Sequence, residues 1–84
     1  MYRIKVTEPS VGQLQKLTPD IQRRIIKKLE FFVSNDNPLS YAEHLTNFKL
    51  GHYRFRIGDY RVIIDVVEDK IIVLAVGHRR EIYK

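Results

Sequence analysis

Residues 52–67 read HYRFRIGDYRVIIDVV, and their pattern decides the fold. Apolar and polar residues alternate up to Gly58 and strand-forming residues resume at Tyr60, so two strands meet at Gly58-Asp59. Glycine in the first place of a two-residue turn is the signature of a type II′ hairpin. Such a hairpin pairs Ile57 with Tyr60, Arg56 with Arg61, Arg54 with Ile63 and His52 with Asp65. Tyr53, Phe55 and Ile57 then share one face, and Arg54 and Arg56 the other. Like charges directly opposed across strands cost a few tenths of a kcal/mol or more. An anion bound between Arg56 and Arg61 would relieve that cost, and the planar fork of arginine suits bidentate phosphate recognition.

Working outward, Glu68, Asp69 and Lys70 make a second turn into a third strand, Ile71 to His78. If that turn has two residues, parity places His78 on the face of Arg61. Ala75 then joins the apolar set Tyr60, Val62, Ile64, Val66, Ile71 and Val73. Towards the N-terminus, residues 2–7 alternate as a short strand and residues 8–17 suggest a short helix. Thr18-Pro19 starts a second helix, with Ile21, Ile25, Leu29, Phe32 and Val33 on a 3.6-residue period. Its other face holds Arg23, Arg24, Lys27 and Lys28, read as a solvated surface. SNDNPLS, residues 34–40, ends the helix, and residues 41–50, poorly periodic, read as a loop with an extended or helical turn. The expected order is β-α-α-β-β-β. The fold class is α+β, with two N-terminal helices packed on a twisted, mainly antiparallel four-stranded sheet, one domain over residues 1–84.

The 84 residues carry a net charge of +5 and no cysteine. Residues 49–61 hold four basic residues against one acid, and residues 78–84 hold three against one. The remainder balances to zero, so the whole excess lies in two short stretches. Focused positive charge points to a phosphate-rich partner. Without cysteine there is no disulfide and no thiolate zinc site, which suits a reducing cytoplasm. MYRIKVTEPS lacks the apolar run of a signal peptide, and no segment approaches membrane-spanning length. The three histidines lack metal-ligand spacing, so neither a metal nor another cofactor is expected.

The runs YRFRIGDYRVII and VLAVGHRREIY together resemble the RelE/ParE superfamily of toxins from type II toxin–antitoxin systems, specifically its RelE-type mRNA interferase branch. The resemblance spans nearly the whole chain. It implies a cytoplasmic, metal-independent endoribonuclease that cuts mRNA on the ribosome and so inhibits translation. It also implies a cognate antitoxin that silences the toxin in a hetero-oligomer. By position, Arg54 and Arg56 match a basic pair flanking the substrate phosphate, and Arg61 matches a strand arginine. Arg79 matches the basic residue after the VG step, and Tyr83 matches a tyrosine that stacks on or helps activate the nucleotide.

The implied reaction is attack of a ribose 2′-OH on the adjacent phosphate, leaving a 2′,3′-cyclic phosphate and a free 5′-OH. Arg56, Arg61 and Arg79 suit charge stabilisation, and Lys49, His52, Arg54 and Arg80 suit RNA binding. Some members have lysines where this chain has Arg54 and Arg56, and arginine does not surrender its proton. A proton carrier is therefore sought elsewhere, His78 first, with His52 and Tyr83 as alternates. Two other readings stay open: a ParE-like toxin that binds DNA gyrase, and a catalytically weak RNA-binding member.

Overall fold

The computed structural model describes residues 2–46 and 50–82. β1 (Arg3–Val6) leads into α1 (Glu8–Gln15) and α2 (Pro19–Val33). A 3-10 turn (Pro38–Tyr41) then precedes β2 (Ala42–His44), β3 (Tyr53–Ile57), β4 (Tyr60–Val67) and β5 (Lys70–His78). The sheet order is β1-β5-β4-β3-β2, with β1 parallel to β5 and the other neighbours antiparallel. The class is α+β as expected, but the sheet has five strands, not four. The extra one is β2, inside the run read as a loop. Three residues are too few to display alternation, and β2 exists because β3 pairs with it, Glu43 lying opposite Arg54.

Pro19 sits in the first turn of α2 with Asp20 beside it, which sets the backbone angle and suits the positive helix end. Ile25, Leu29 and Phe32 of α2 pack on Phe55, Ile57, Val62, Ile64, Ile71, Val73 and Val76. Phe32 stacks on Phe55 with ring centroids 4.5 Å apart and on Tyr41 at 5.0 Å. Full burial of each such side chain contributes about 1.5–3 kcal/mol, so this helix–sheet seam dominates stability.

The first hairpin matches its sequence reading. Gly58 has φ 60°, and Ile57 pairs with Tyr60, Arg56 with Arg61 and Arg54 with Ile63. His52, just before β3, meets Asp65: its backbone N–H donates to Asp65 Oδ1 at 2.7 Å, and its ring Nδ1 lies 2.6 Å from the same oxygen.

The second hairpin departs from it. The turn is two residues, Glu68-Asp69, since Val67 pairs with Lys70, yet the ladder slips between Ile64, opposite Val73, and Ile63, opposite Ala75. Leu74 is the extra residue of a β-bulge, which reverses the parity of everything after it. Val76, not Ala75, therefore enters the core, and His78 pairs with Tyr60 instead of sharing the face of Arg61.

The cause lies in α1 and in Thr7, which precedes it. β1 ends at Val6, so β5 beyond Val73 has no strand on that side, and its backbone groups need other partners. The Val73 carbonyl accepts from the Thr7 N–H at 3.1 Å and the Thr7 hydroxyl at 2.9 Å, and the fully buried Ser10 hydroxyl lies 3.1 Å away. Gln13 Oε1 accepts the Val76 N–H at 2.8 Å.

Candidate active site

Alternation along β3 and β4 carries Arg54, Arg56, Arg61, Ile63 and Asp65 to the face away from the helices. β2 adds Glu43 to that face. Its Oε2 accepts from Arg54 Nη2 at 3.1 Å, and its Oε1 lies 3.4 Å from Arg56 Nε. One carboxylate thus bridges both arginines. Oε1 is shielded from solvent yet accepts no hydrogen bond among the described residues. The hydrogen bond from Arg54 holds the Glu43 carboxyl below its ordinary range, and the charges of Arg54, Arg56 and Arg61 add to this while desolvation opposes it.

Arg61 takes another course. Its residue is 6% exposed, and its Nη1 donates to the carbonyl oxygens of Gly58 and Tyr60, both at 2.9 Å. The guanidinium is folded over the turn it belongs to and braces it. Glu43 and these two carbonyls compensate the opposed pair Arg56 and Arg61, so a bound anion is not needed to explain it. The carboxylate was missed because it sits on β2. The signal available was the arginine pair itself, since uncompensated like charge implies a counter-charge close by in the fold.

The residues after β5 curl into a turn, with the N–H groups of Glu81 and Ile82 donating to the His78 carbonyl. The Arg79 N–H donates to the Asp59 carbonyl at 2.8 Å, and its Nε lies 3.8 Å from Asp59 Oδ1, which pins the tail to the tip of the first hairpin. Arg79 therefore joins the basic end of the sheet, and Arg80 is exposed beside it. His78 does not join Arg54 and Arg56. It stands edge-on to Tyr60 at 5.4 Å, on the side of the sheet that the helices cover, and its Nδ1 accepts the Arg80 N–H at 3.2 Å. His52 occupies the opposite, arginine-bearing face, about 7 Å along β3 from Arg54. Lys49 and Tyr83 lie outside the described residues. Among the described residues no group of three or more His, Asp or Glu side chains is arranged to hold a metal ion. Nor is any helix there long and apolar enough to cross a membrane.

A sequence profile of the ParE toxin of type II toxin–antitoxin systems matches residues 4–83. The chain belongs to the RelE/ParE toxin family. It is the toxin of a type II toxin–antitoxin system. Solved structures agree. The toxin–antitoxin complex RelBE from Mycobacterium tuberculosis aligns with TM-score 0.81 and 25% identity over 93% of this chain and 98% of that chain. The archaeal RelE–RelB complex from Pyrococcus horikoshii aligns with TM-score 0.74 and 28% identity over 95% and 97%. The isolated RelE toxin of E. coli shares the fold at 19% identity, with TM-score 0.72 over 99% and 92%. No curated protein matches by sequence alone.

The bridging carboxylate of this toxin makes a stability prediction. A carboxyl whose pKa is depressed on folding contributes stability that is complete above its unfolded value, near 4.5, and is lost as pH falls through the folded value. Thermal melts of the toxin and of Glu43→Gln should therefore differ at neutral pH and converge as Glu43 protonates in acid. A difference in midpoint that persists unchanged in strong acid would show that the charge of Glu43 contributes nothing.

Proposed function

We propose that this toxin is a metal-independent, ribosome-dependent endoribonuclease that cleaves mRNA by 2′-OH attack. One observation carries the reading: a carboxylate, two arginines and a carboxylate-held histidine share a single sheet face. Glu43 is ionised at neutral pH, and its partly exposed side chain lies between Arg54 and Arg56. It accepts the 2′-OH proton as the 2′-oxygen bonds to phosphorus. As Glu43 loses its negative charge, the phosphorane gains one, and Arg54 and Arg56 transfer their pairing from the carboxylate to the phosphoryl oxygens. His52, oriented through Nδ1 by Asp65, protonates the departing 5′-oxygen. Arg79 at the hairpin tip adds positive charge, Arg61 holds the turn that presents Arg56, and Lys49 and Arg80 hold the RNA backbone. Tyr83 keeps the nucleotide-stacking role that the family resemblance assigns it. His78, across the sheet, shapes the tail that carries Arg79.

A second reading has its own support, because the matching profile is that of ParE toxins. On that reading the same surface binds DNA gyrase without cutting RNA. Incubation with mRNA in a translating extract, with mapping of new 5′ ends, separates the two. The nuclease reading expects ribosome-dependent cuts with 2′,3′-cyclic phosphate ends, slowed about 10²–10³-fold in Arg56→Ala. Intact mRNA together with inhibited supercoiling and DNA breaks would replace it by the gyrase reading.

The cognate antitoxin has a dry place to dock. Ile4, Val6, Leu14, Ile26 and Leu29 line an apolar depression of about 140 Å³ beside β1, whose outer edge pairs with no described strand. Val6 and Ile26 are each 44% exposed there. An antitoxin segment that extends the sheet at β1 would fill this depression, in keeping with the RelB-bound state of the similar toxins from Mycobacterium tuberculosis and Pyrococcus horikoshii.

A further inference from the structure

The solvent face of α2 is more than a balanced charged surface. Arg24, Lys27, Lys28 and Phe31 follow one another at helical spacing and line a shallow depression of about 400 Å³. The acids of α2 do not offset these cations. Asp20 pairs with Arg23, and Glu30 lines the apolar depression beside β1. Among the described residues neither Arg24, Lys27 nor Lys28 has an ion-pair partner. Phe31 is 50% exposed and Tyr41, edge-on to it at 5.6 Å, is 42% exposed. The Lys28 ammonium stands 5.8 Å from the Phe31 ring centre.

This stripe connects to the arginines of the sheet. Arg24 reaches the first hairpin, where its Nη1 lies 3.8 Å from the Cβ position of Gly58. Around that same tip sit Arg56, Arg61, which bonds the Gly58 carbonyl, and Arg79, held to Asp59. The tip is thus the corner at which two basic surfaces meet, one on the sheet and one on α2.

We propose that a single RNA strand runs from the sheet site over the Gly58-Asp59 tip and along α2, with Arg24, Lys27 and Lys28 on successive phosphates and Phe31 under a base. Cations interleaved with an exposed aromatic ring are the pattern that binds single strands without reading sequence. An acidic polypeptide would use the charges but would not need an exposed ring at the end of the row. The inference rests on the RNA reading above and extends it to nucleotides beyond the cut.

The test is fluorescence anisotropy with the full chain and 2′-O-methyl oligouridylates, which cannot be cut, one of roughly 12 nucleotides and one of three. The variant Arg24→Ala/Lys27→Ala/Lys28→Ala should bind the longer strand at least tenfold more weakly. Its log–log salt slope should be shallower by about 2, for three lost phosphate contacts, and its affinity for the trinucleotide should be unchanged. Phe31→Ala should lose about fivefold or more on the longer strand, while Phe31→Trp retains binding. Wild-type affinity in the triple variant, beside weakened binding in Arg56→Ala, overturns the α2 path and leaves the sheet site standing. A triple variant that loses only antitoxin affinity overturns it too, in favour of an acidic partner. No binding of either oligonucleotide by the wild type overturns the strand path too, while ribosome-dependent cleavage in the translating extract decides the RNA reading separately.

Discussion

Glu43→Gln should lower the mRNA cleavage rate by about 10²–10⁴-fold, the usual share of a positioned general base. Glutamine keeps the size of the side chain and its hydrogen bond with Arg54, but it cannot take a proton. The substitution separates two roles that the carboxylate combines. As a counter-ion, Glu43 holds Arg54 and Arg56 side by side before RNA arrives. As a proton acceptor, it gives up its charge at the moment the phosphorane needs those arginines. If only the first role matters, Glu43→Gln should bind uncut RNA more tightly and cleave with little loss. If the second holds, binding rises but cleavage falls, in single-turnover measurements that keep the two apart. Cleavage at the wild-type rate in Glu43→Gln would remove Glu43 from the mechanism.

Gly51→Ala should destabilise the protein by about 3 kcal/mol or more, a fall of roughly 15 °C in melting temperature for a chain of this size. Gly51 has φ 149°, a backbone region that side chains rarely enter. A Cβ there would lie 2.7 Å from Ile63 Cγ2, 3.0 Å from Leu74 Cδ1 and 3.3 Å from the Ile64 carbonyl oxygen. Ile63 is fully buried although it faces away from the helices, and Gly51 lies close against it. Gly51 also precedes His52, so the same substitution should loosen the His52–Asp65 contact and reduce activity in the folded fraction. A melting temperature within about 2 °C of the wild type would mean that this segment yields at little cost.

Much of this architecture is local chemistry and could be read from the chain. Gly58 accepts a positive φ, the turn has two residues, and those facts alone fix which residues face each other from Ile57 back to Arg54. The α2 stripe and the placing of Pro19 likewise follow from period and backbone restriction. The site needed more than that. Glu43 reaches the arginines only because three residues, too few for a pattern, add themselves to the edge of β3.

His78 illustrates the same limit in reverse. Counting from the Glu68-Asp69 turn puts it beside Arg61, and the count fails by one residue at Leu74. What holds that extra residue is a group of hydrogen-bonding side chains on Thr7, Ser10 and Gln13, more than sixty positions earlier in the chain. The sequence by itself determined the arginine hairpin, because a turn is decided by the residues inside it. Which carboxylate and which histidine share its face was decided only by tertiary structure, because a β-bulge and an edge strand are stabilised by partners far away in the chain.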